Sequence, residues 1–249
     1  MINKIVVMAA GKGTRMKELS KDIPKHLLPV SGKPFLYYPL NNIKKAGFTE
    51  IILVVGYLKD KMQEFVEEYK NQFNIKLVDQ YQIVGTEKVG TAVPVECAKD
   101  YTKDENFVVI NGDDIYATQD LAAMRNLDDE FCYVSGLRHK EPEHYGLLKI
   151  DDDFLEQIIE KPVPGVDFDR DNPLDSLINI GLYKFTPEIF EAIKKINISP
   201  RGEYEITDAL TLLAQEKKVK VHVMKSYWHN FTRKEDITKM EKLIENKKL

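Results

Sequence analysis

Three runs, Ile5-Val6-Val7-Met8, Ile51-Ile52-Leu53-Val54-Val55 and Phe107-Val108-Val109-Ile110, are apolar at every position, and they constrain this chain more than any other feature. A strand with one wet face alternates. A run with no polar side belongs in a sheet covered on both faces. Between the runs lie segments of helical spacing. Leu36, Leu40 and Ile43 recur within Phe35 to Ala46, which Gly47 ends. Met62, Phe65, Val66 and Tyr69 share one face of Lys59 to Tyr69, ahead of a short strand at Lys76-Leu77-Val78. The first strand is expected over Met1 to Ala9, and a further helix over Gly90 to Lys99. Strands alternating with helices predict an α/β chain with a largely parallel sheet and right-handed crossovers.

After about residue 130 the pattern changes. Strand-like runs follow at Phe131 to Leu137, Leu147 to Ile150, Phe154 to Ile159 and Leu177 to Phe185, then helices at Pro187 to Ile196 and Ile206 to Glu216. A strand at Val219 to Met224 and a charged helix at Lys234 to Asn246 close the chain, and Pro162 to Gly165 reads as an exposed loop. One domain over residues 1–249 with two lobes, about 1–130 and about 131–249, is expected.

Composition excludes several classes of function. The 40 acidic residues outnumber the 36 basic ones, and the net charge of −4 gives no electrostatic reason to bind nucleic acid. No apolar run approaches the ~20 residues of a membrane span, and no cleavage pattern follows the first strand, so a cytoplasmic protein without a membrane partner is expected. Cys97 and Cys132 stand apart without a His nearby and read as small buried residues. The five histidines, His26, His139, His144, His222 and His229, show no metal-ligand spacing and read as packing or surface residues.

The first strand runs into Ala9-Ala10-Gly11-Lys12-Gly13-Thr14-Arg15-Met16, a Gly-rich turn able to aim backbone N–H groups at an anion. Arg15 adds a planar fork suited to phosphate, and Lys25 follows in the stiff segment Ile23-Pro24-Lys25-His26-Leu27-Leu28-Pro29-Val30. Neither a Walker A loop nor a dinucleotide fingerprint fits these letters, because Met16 stands where the third Gly of the latter would be. This disfavours an NAD-dependent oxidoreductase. Asn111-Gly112-Asp113-Asp114 ends a buried strand, where open α/β sheets carry their ligand chemistry.

With the segments Pro24-Lys25 and Pro29-Val30, this loop resembles the signature of the sugar-1-phosphate nucleotidyltransferases, and the likeness runs on to Asp236. The resemblance implies a Rossmann-like nucleotidyltransferase fold with a predominantly parallel mixed sheet. Its first lobe would bind a nucleoside triphosphate and its second a sugar 1-phosphate. Arg15 and Lys25 would contact the triphosphate, with Ala10, Gly11, Gly13 and Thr14 forming the nucleotide loop. Asp113 would hold Mg²⁺, assisted by Asn230 of Trp228-His229-Asn230, in a motif where Thr232 and Lys234 replace the customary residues. Gly90 and Thr91 match the second half of the base-recognition motif. Its Gln is either Gln80 or Gln82, and Gln82 is preferred. Gly146, Glu160 and Asn179 would contact sugar hydroxyls and Lys161 the sugar phosphate, making Arg15, Lys25 and Lys161 the catalytic cations. Gly202 to Asp208 also matches the family but is given no chemistry.

The reaction implied is attack of a sugar-phosphate oxygen on the α-phosphorus with release of pyrophosphate, UTP and glucose 1-phosphate being favoured and dTTP next. A nonenzymatic sensor of nucleotide or sugar phosphate is the alternative. A homo-oligomer is compatible with the sequence. No hexapeptide repeat follows Asp236, so the β-helix appended to some members is expected to be absent.

Overall fold

The computed structural model describes residues 1–246. Its thirteen strands are β1 Lys4–Ala9, β2 Pro29–Val30, β3 Lys33–Pro34, β4 Glu50–Val55, β5 Ile75–Asp79, β6 Phe107–Asn111, β7 Asp114–Tyr116, β8 Cys132–Arg138, β9 Leu147–Asp151, β10 Phe154–Ile159, β11 Leu177–Phe185, β12 Val219–Val223 and β13 Trp228–Asn230. The helices are α1 Tyr37–Lys45, α2 Lys59–Tyr69, α3 Gln80–Val84, α4 Ala92–Cys97, α5 Lys99–Thr102, α6 Thr118–Asn126, α7 Glu188–Ile193, α8 Ile206–Gln215 and α9 Glu235–Glu245. Nine strands make one mixed sheet in the order β5-β4-β1-β6-β11-β8-β12-β10-β9. Its first four strands run parallel, and β11 joins β6 antiparallel.

The all-apolar runs behave as two-sided strands. Val6, Ile52, Val54 and Val109 point into a core shared with α4, α7 and α8. Their neighbours Ile5, Val7, Leu53 and Val108 point into a second core with α1, α2 and α6. Because side chains alternate across a strand, every position of each run is used. Among the described residues no helix is long and apolar enough to cross a membrane.

Several elements differ from the sequence-based expectation. β1 starts at Lys4 rather than Met1, since the Ile2 amide donates instead to the Arg125 carbonyl at 3.0 Å. The helix expected from Gly90 is delayed to Ala92, because Gly90 adopts φ 126°, and it divides into α4 and α5 at Ala98. α3, α6, the β2–β3 hairpin and the β7–β13 ribbon were not anticipated. Each is short, and α6 carries only Leu121 and Met124 as large buried apolar residues.

A third, smaller core fixes the chain's last helix. Met16, Leu28, Val30, Phe35, Ile115, Phe231 and Met240 gather there, with the rings of Phe35 and Phe231 stacked at 4.1 Å. Residues from the loop after β1, the β7–β13 ribbon and α9 are thereby held as one layer. Phe231 has no exposed surface. Phe231→Ala is therefore expected to lower unfolding free energy by about 3–5 kcal/mol, read as a drop in urea midpoint with unchanged slope.

Candidate active site

The site is built at the carboxyl ends of β1 and β6. These strands are parallel neighbours with Met8 opposite Asn111, so the segments that follow them emerge side by side. The Gly112 amide donates to the Met8 carbonyl at 2.9 Å, and a Cβ at position 112 would lie 2.8 Å from that oxygen. Only glycine permits this approach. Asp113 follows, and its carboxylate accepts a hydrogen bond from the Lys25 ammonium, the two side chains being 20% and 15% exposed. Burial pulls the Asp113 carboxyl upward, but the Lys25 ammonium, through its charge and its hydrogen bond, outweighs it and holds the group below its usual range. Burial pushes the His26 imidazole the other way, down to about 3, with Lys25 reinforcing the effect. His26 is thus a neutral packing residue, as its spacing suggested.

Gly13, with φ 64°, and Thr14 form the turn that carries Arg15. A Cβ on Gly13 would sit 3.2 Å from the Lys25 side chain. Arg15 itself is exposed and lines a cavity of about 260 Å³ together with Asp113, Glu160, Asn179 and Asn230. Asn230 faces Asp114 across the β7–β13 ribbon, and the Phe231 amide donates to the Asp113 carbonyl at 2.7 Å. The expected metal pair is therefore brought together. Among the described residues no group of three His, Cys, Asp or Glu side chains is arranged to hold a metal ion. Asp113 and Asn230 still suit Mg²⁺, which takes oxygen ligands and is often held by one or two protein groups plus phosphates and water. The Lys25 ammonium seated on Asp113 marks that carboxylate as a cation's partner.

Asp114 has a different task. It is buried, and its Oδ2 accepts from Asn111 Nδ2 at 3.0 Å and from the Tyr116 hydroxyl at 3.1 Å. Burial, aided by the charge of Asp113, pushes its carboxyl up to about 8. Asn111 reaches this position only because β11 bulges past it. Gly181, with φ 72°, leaves the room, since a Cβ there would lie 2.0 Å from Asn111 Nδ2.

Gly146, Glu160 and Asn179, the residues expected to face the sugar, also converge, whereas Lys161 does not line the cavity. The Asn179 amide donates to the Gly146 carbonyl at 2.7 Å, and a Cβ on Gly146 would stand 3.4 Å from Glu160 Oε1. The Asn179 side chain is anchored by donating to the Tyr183 hydroxyl at 2.9 Å and accepting from the Gly181 amide at 3.1 Å. Burial raises the Glu160 carboxyl against the opposing charge of Arg201. Lys161 follows at the end of β10, exposed, with left-handed backbone at φ 52°.

A second cavity of about 400 Å³ adjoins the first through Met8, Thr91 and Asn111, and is lined by Ala10, Gly11, Lys25, Gln80 and Gly90. Gln82 is not brought here. It is exposed and lines a separate cavity with Lys59 and Asp79. Residues 80–84 form the short helix α3, in which positions two apart face opposite ways, so Gln80 and Gln82 cannot share a pocket. Gln80 is 5% exposed, and its Oε1 has no hydrogen-bond partner.

Sequence reasoning missed Arg201 and Glu205, which line the first cavity. Glu205 accepts from Arg201 Nη2 at 2.5 Å and from the Thr91 hydroxyl at 3.2 Å, while that hydroxyl accepts from the Ile206 amide at 2.9 Å. Gly90 lies so close to Tyr204 that a Cβ would fall 2.3 Å from its carbonyl oxygen. The available signal was the family-like segment Gly202 to Asp208, which contains Glu205 and directly follows Arg201.

The raised carboxyl of Asp114 makes a testable pH dependence. A carboxyl whose folded value lies above its unfolded one contributes stability that is full below about pH 4 and is lost as pH rises towards about 8. Asp114→Asn removes this dependence. In urea titrations its midpoint relative to the parent is expected to climb steadily between about pH 5 and about pH 8; a difference flat in pH would show that Asp114 titrates normally.

Comparison with known proteins agrees with this geometry. A family model described as nucleotidyl transferase matches residues 4–247. The bifunctional protein GlmU of Methanocaldococcus jannaschii is 37% identical over 246 residues, covering 97% of this chain and 54% of that protein. The UTP–glucose-1-phosphate uridylyltransferase AglF of Haloferax volcanii is 33% identical over 214 residues, 84% of this chain and 82% of that one. The chain thus spans about half the length of the GlmU relatives it matches. A solved structure of UDP-glucose pyrophosphorylase complexed with UDP-glucose shares the fold, with a TM-score of 0.81 at 23% identity, over 99% of this chain and 100% of that one. The matched span takes in the glycine loop, the Lys25–Asp113 pair and the β7–β13 ribbon alike, and the chain belongs to the nucleotidyl transferase family.

Proposed function

We propose that this chain joins a nucleoside triphosphate to a hexose 1-phosphate, releasing pyrophosphate and forming a nucleotide sugar. The observation that carries this reading is one shared cleft. Arg15, Asp113 and Asn230 line the same cavity as Glu160 and Asn179, and the Gln80 cavity opens beside it. A phosphate-binding group, a cation site and a hydroxyl-binding group thus meet within reach of each other.

In the proposed reaction an oxygen of the sugar phosphate forms a bond to the α-phosphorus. The bond from that phosphorus to the bridging oxygen breaks, and its electron pair leaves with pyrophosphate. The attacking phosphate is already an anion, so no side-chain nucleophile or base is needed. What remains is positioning and charge. Arg15 and Lys25 offset the triphosphate's charge, and Lys161 holds the sugar phosphate. Glu160 and Asn179 take the sugar hydroxyls as acceptor and mixed donor–acceptor. Asp113, with the Asn230 amide oxygen, would hold Mg²⁺, which draws charge from the triphosphate oxygens when bound.

Gln80, rather than Gln82, is assigned to the base. Its orphan Oε1 can accept from a pyrimidine N3–H while Nε2 donates to a neighbouring carbonyl. Uracil and thymine share that edge. UTP is placed first and dTTP second, in keeping with the activity named for AglF, and glucose 1-phosphate is the first sugar. A pyrophosphate-release screen over both nucleotides and a panel of hexose 1-phosphates tests the assignment. Mg²⁺-dependent turnover that needs both substrates is the expected result. Tight binding without turnover would favour a sensor.

The two cations are expected to fail differently. Arg15→Ala should raise KM for the triphosphate and Lys161→Ala that for the sugar phosphate, each lowering kcat/KM by about 10²-fold. Values within a fewfold of the parent for both substrates would remove these residues from the assigned roles.

The metal pair gives a further expectation. Asp113→Asn should nearly abolish turnover at any practical Mg²⁺ concentration, whereas Asn230→Asp should lower the concentration giving half-maximal rate. An unchanged Mg²⁺ titration for either variant would take that residue out of the coordination sphere.

A further inference from the structure

Two guanidinium groups beside the cleft have no protein partner among the described residues. Arg15 and Arg233 together line two cavities, of about 630 and 860 Å³, and the first of these shares Tyr145, Asn230 and Thr232 with the central cleft. Neither guanidinium makes an ion pair or side-chain hydrogen bond among the described residues. Arg201, the other arginine lining the central cleft, is committed to Glu205. An unpaired arginine is unremarkable on an open surface. Two that face common cavities beside a phosphate site are matched to an anion.

The segment carrying Arg233 is held in place. Asp236 Oδ2 accepts from the amides of Thr232 and Arg233 at 2.8 and 2.7 Å. Two residues earlier, the buried Phe231 ties its own amide to the Asp113 carbonyl at 2.7 Å. A chain of two residues spans at most about 7 Å, so Arg233 starts within a side chain's reach of the proposed phosphate site. These cavities do not include Glu160 or Asn179, which line the sugar end of the cleft. Carboxylates are present in the same walls, Glu141 and Asp236 in one cavity and Glu18 and Glu235 in the other. Asp236 is engaged with backbone amides, and Lys234 adds a third cation to the second cavity.

We propose that Arg233 pairs with Arg15 as a second guanidinium clamp on the β,γ end of the triphosphate, and holds that end as it departs as pyrophosphate. This rests on the reaction proposed above. It concerns a position at which the W-x-N motif of this chain runs into Thr232-Arg233-Lys234. The clamp adds charge where it accumulates when the electron pair moves to the bridging oxygen.

Inorganic pyrophosphate is the probe. Titrated alone into the full chain by calorimetry, it should bind the parent about tenfold more tightly than Arg233→Ala, with Arg233→Lys recovering part of the loss. In steady-state assays Arg233→Ala should raise KM about tenfold for pyrophosphate in the reverse direction and for the triphosphate in the forward direction, leaving KM for the sugar phosphate unchanged. The melting temperature should hold, because Asp236 grips the backbone rather than the side chain. Equal pyrophosphate affinity in parent and Arg233→Ala, or a defect confined to the sugar phosphate, would overturn the assignment. A parent that binds pyrophosphate through Arg233 yet turns over no substrate pair would overturn the reaction while leaving the clamp in place.

Discussion

Lys25 and Asp113 come from segments that follow different strands, and their meeting organises everything around them. The lysine arrives on a short 3-10 turn beyond the glycine loop, the aspartate on the end of β6. Both are mostly withdrawn from water, so removal of either would strand a poorly solvated charge. The loop after β1 is thereby pinned across the mouth of the sheet, and Arg15 is carried with it. On the other side, the main chain of Asp113 receives Phe231, through which α9 is attached. One contact thus sets the relation of three sequence-distant pieces. It also holds a carboxyl below its usual range in a place where burial pushes it upward.

Around this contact, missing side chains matter as much as present ones. Gly112 brings the β6 end against β1, and Gly181 vacates the volume that the Asn111 amide fills. Asn111 then donates to Asp114, which favours the charged form, but burial and the neighbouring charge of Asp113 outweigh it, so the carboxyl next to Asp113 is a protonation-prone structural group rather than a second charge in the cleft. Two adjacent aspartates receive opposite environments from a pair of packing decisions made elsewhere in the sheet.

Much of this was legible in the sequence, for reasons that mark where legibility ended. The strands could be read because two-sided burial leaves no polar letter in Val6-Val7 or Val108-Val109. Arg15, Lys25 and Asp113 could be placed together because loops after parallel strands open on one edge of a sheet. Gly146, Glu160 and Asn179 came from the family likeness, and the structure brings them into contact. The choice between Gln80 and Gln82 turned on helical phase over five residues, too few to leave a periodic signal. Arg201 and Glu205 owe their position to packing against Gly90, a contact spanning more than a hundred residues that no local pattern encodes. The β7–β13 ribbon is three residues wide on each side, shorter than any alternation that can be recognised.

Thr91 belongs to two cavities at once, and its hydroxyl is bonded to Glu205 and Ile206. The wall assigned to the base and the wall assigned to the sugar in the proposed reaction are therefore a single piece of structure, joined by a few hydrogen bonds and by Gly90 pressed onto Tyr204. Such a partition makes the two preferences hard to separate over evolutionary time. If the proposed reaction holds, a mutation that reshapes the Arg201–Glu205 end to admit a new sugar would displace the support of Thr91, and with it the fit of the base. Descendants that exchange one half of the substrate pair would need compensating changes in the other half, so new pairings would arise through linked substitutions across this shared wall rather than one pocket at a time.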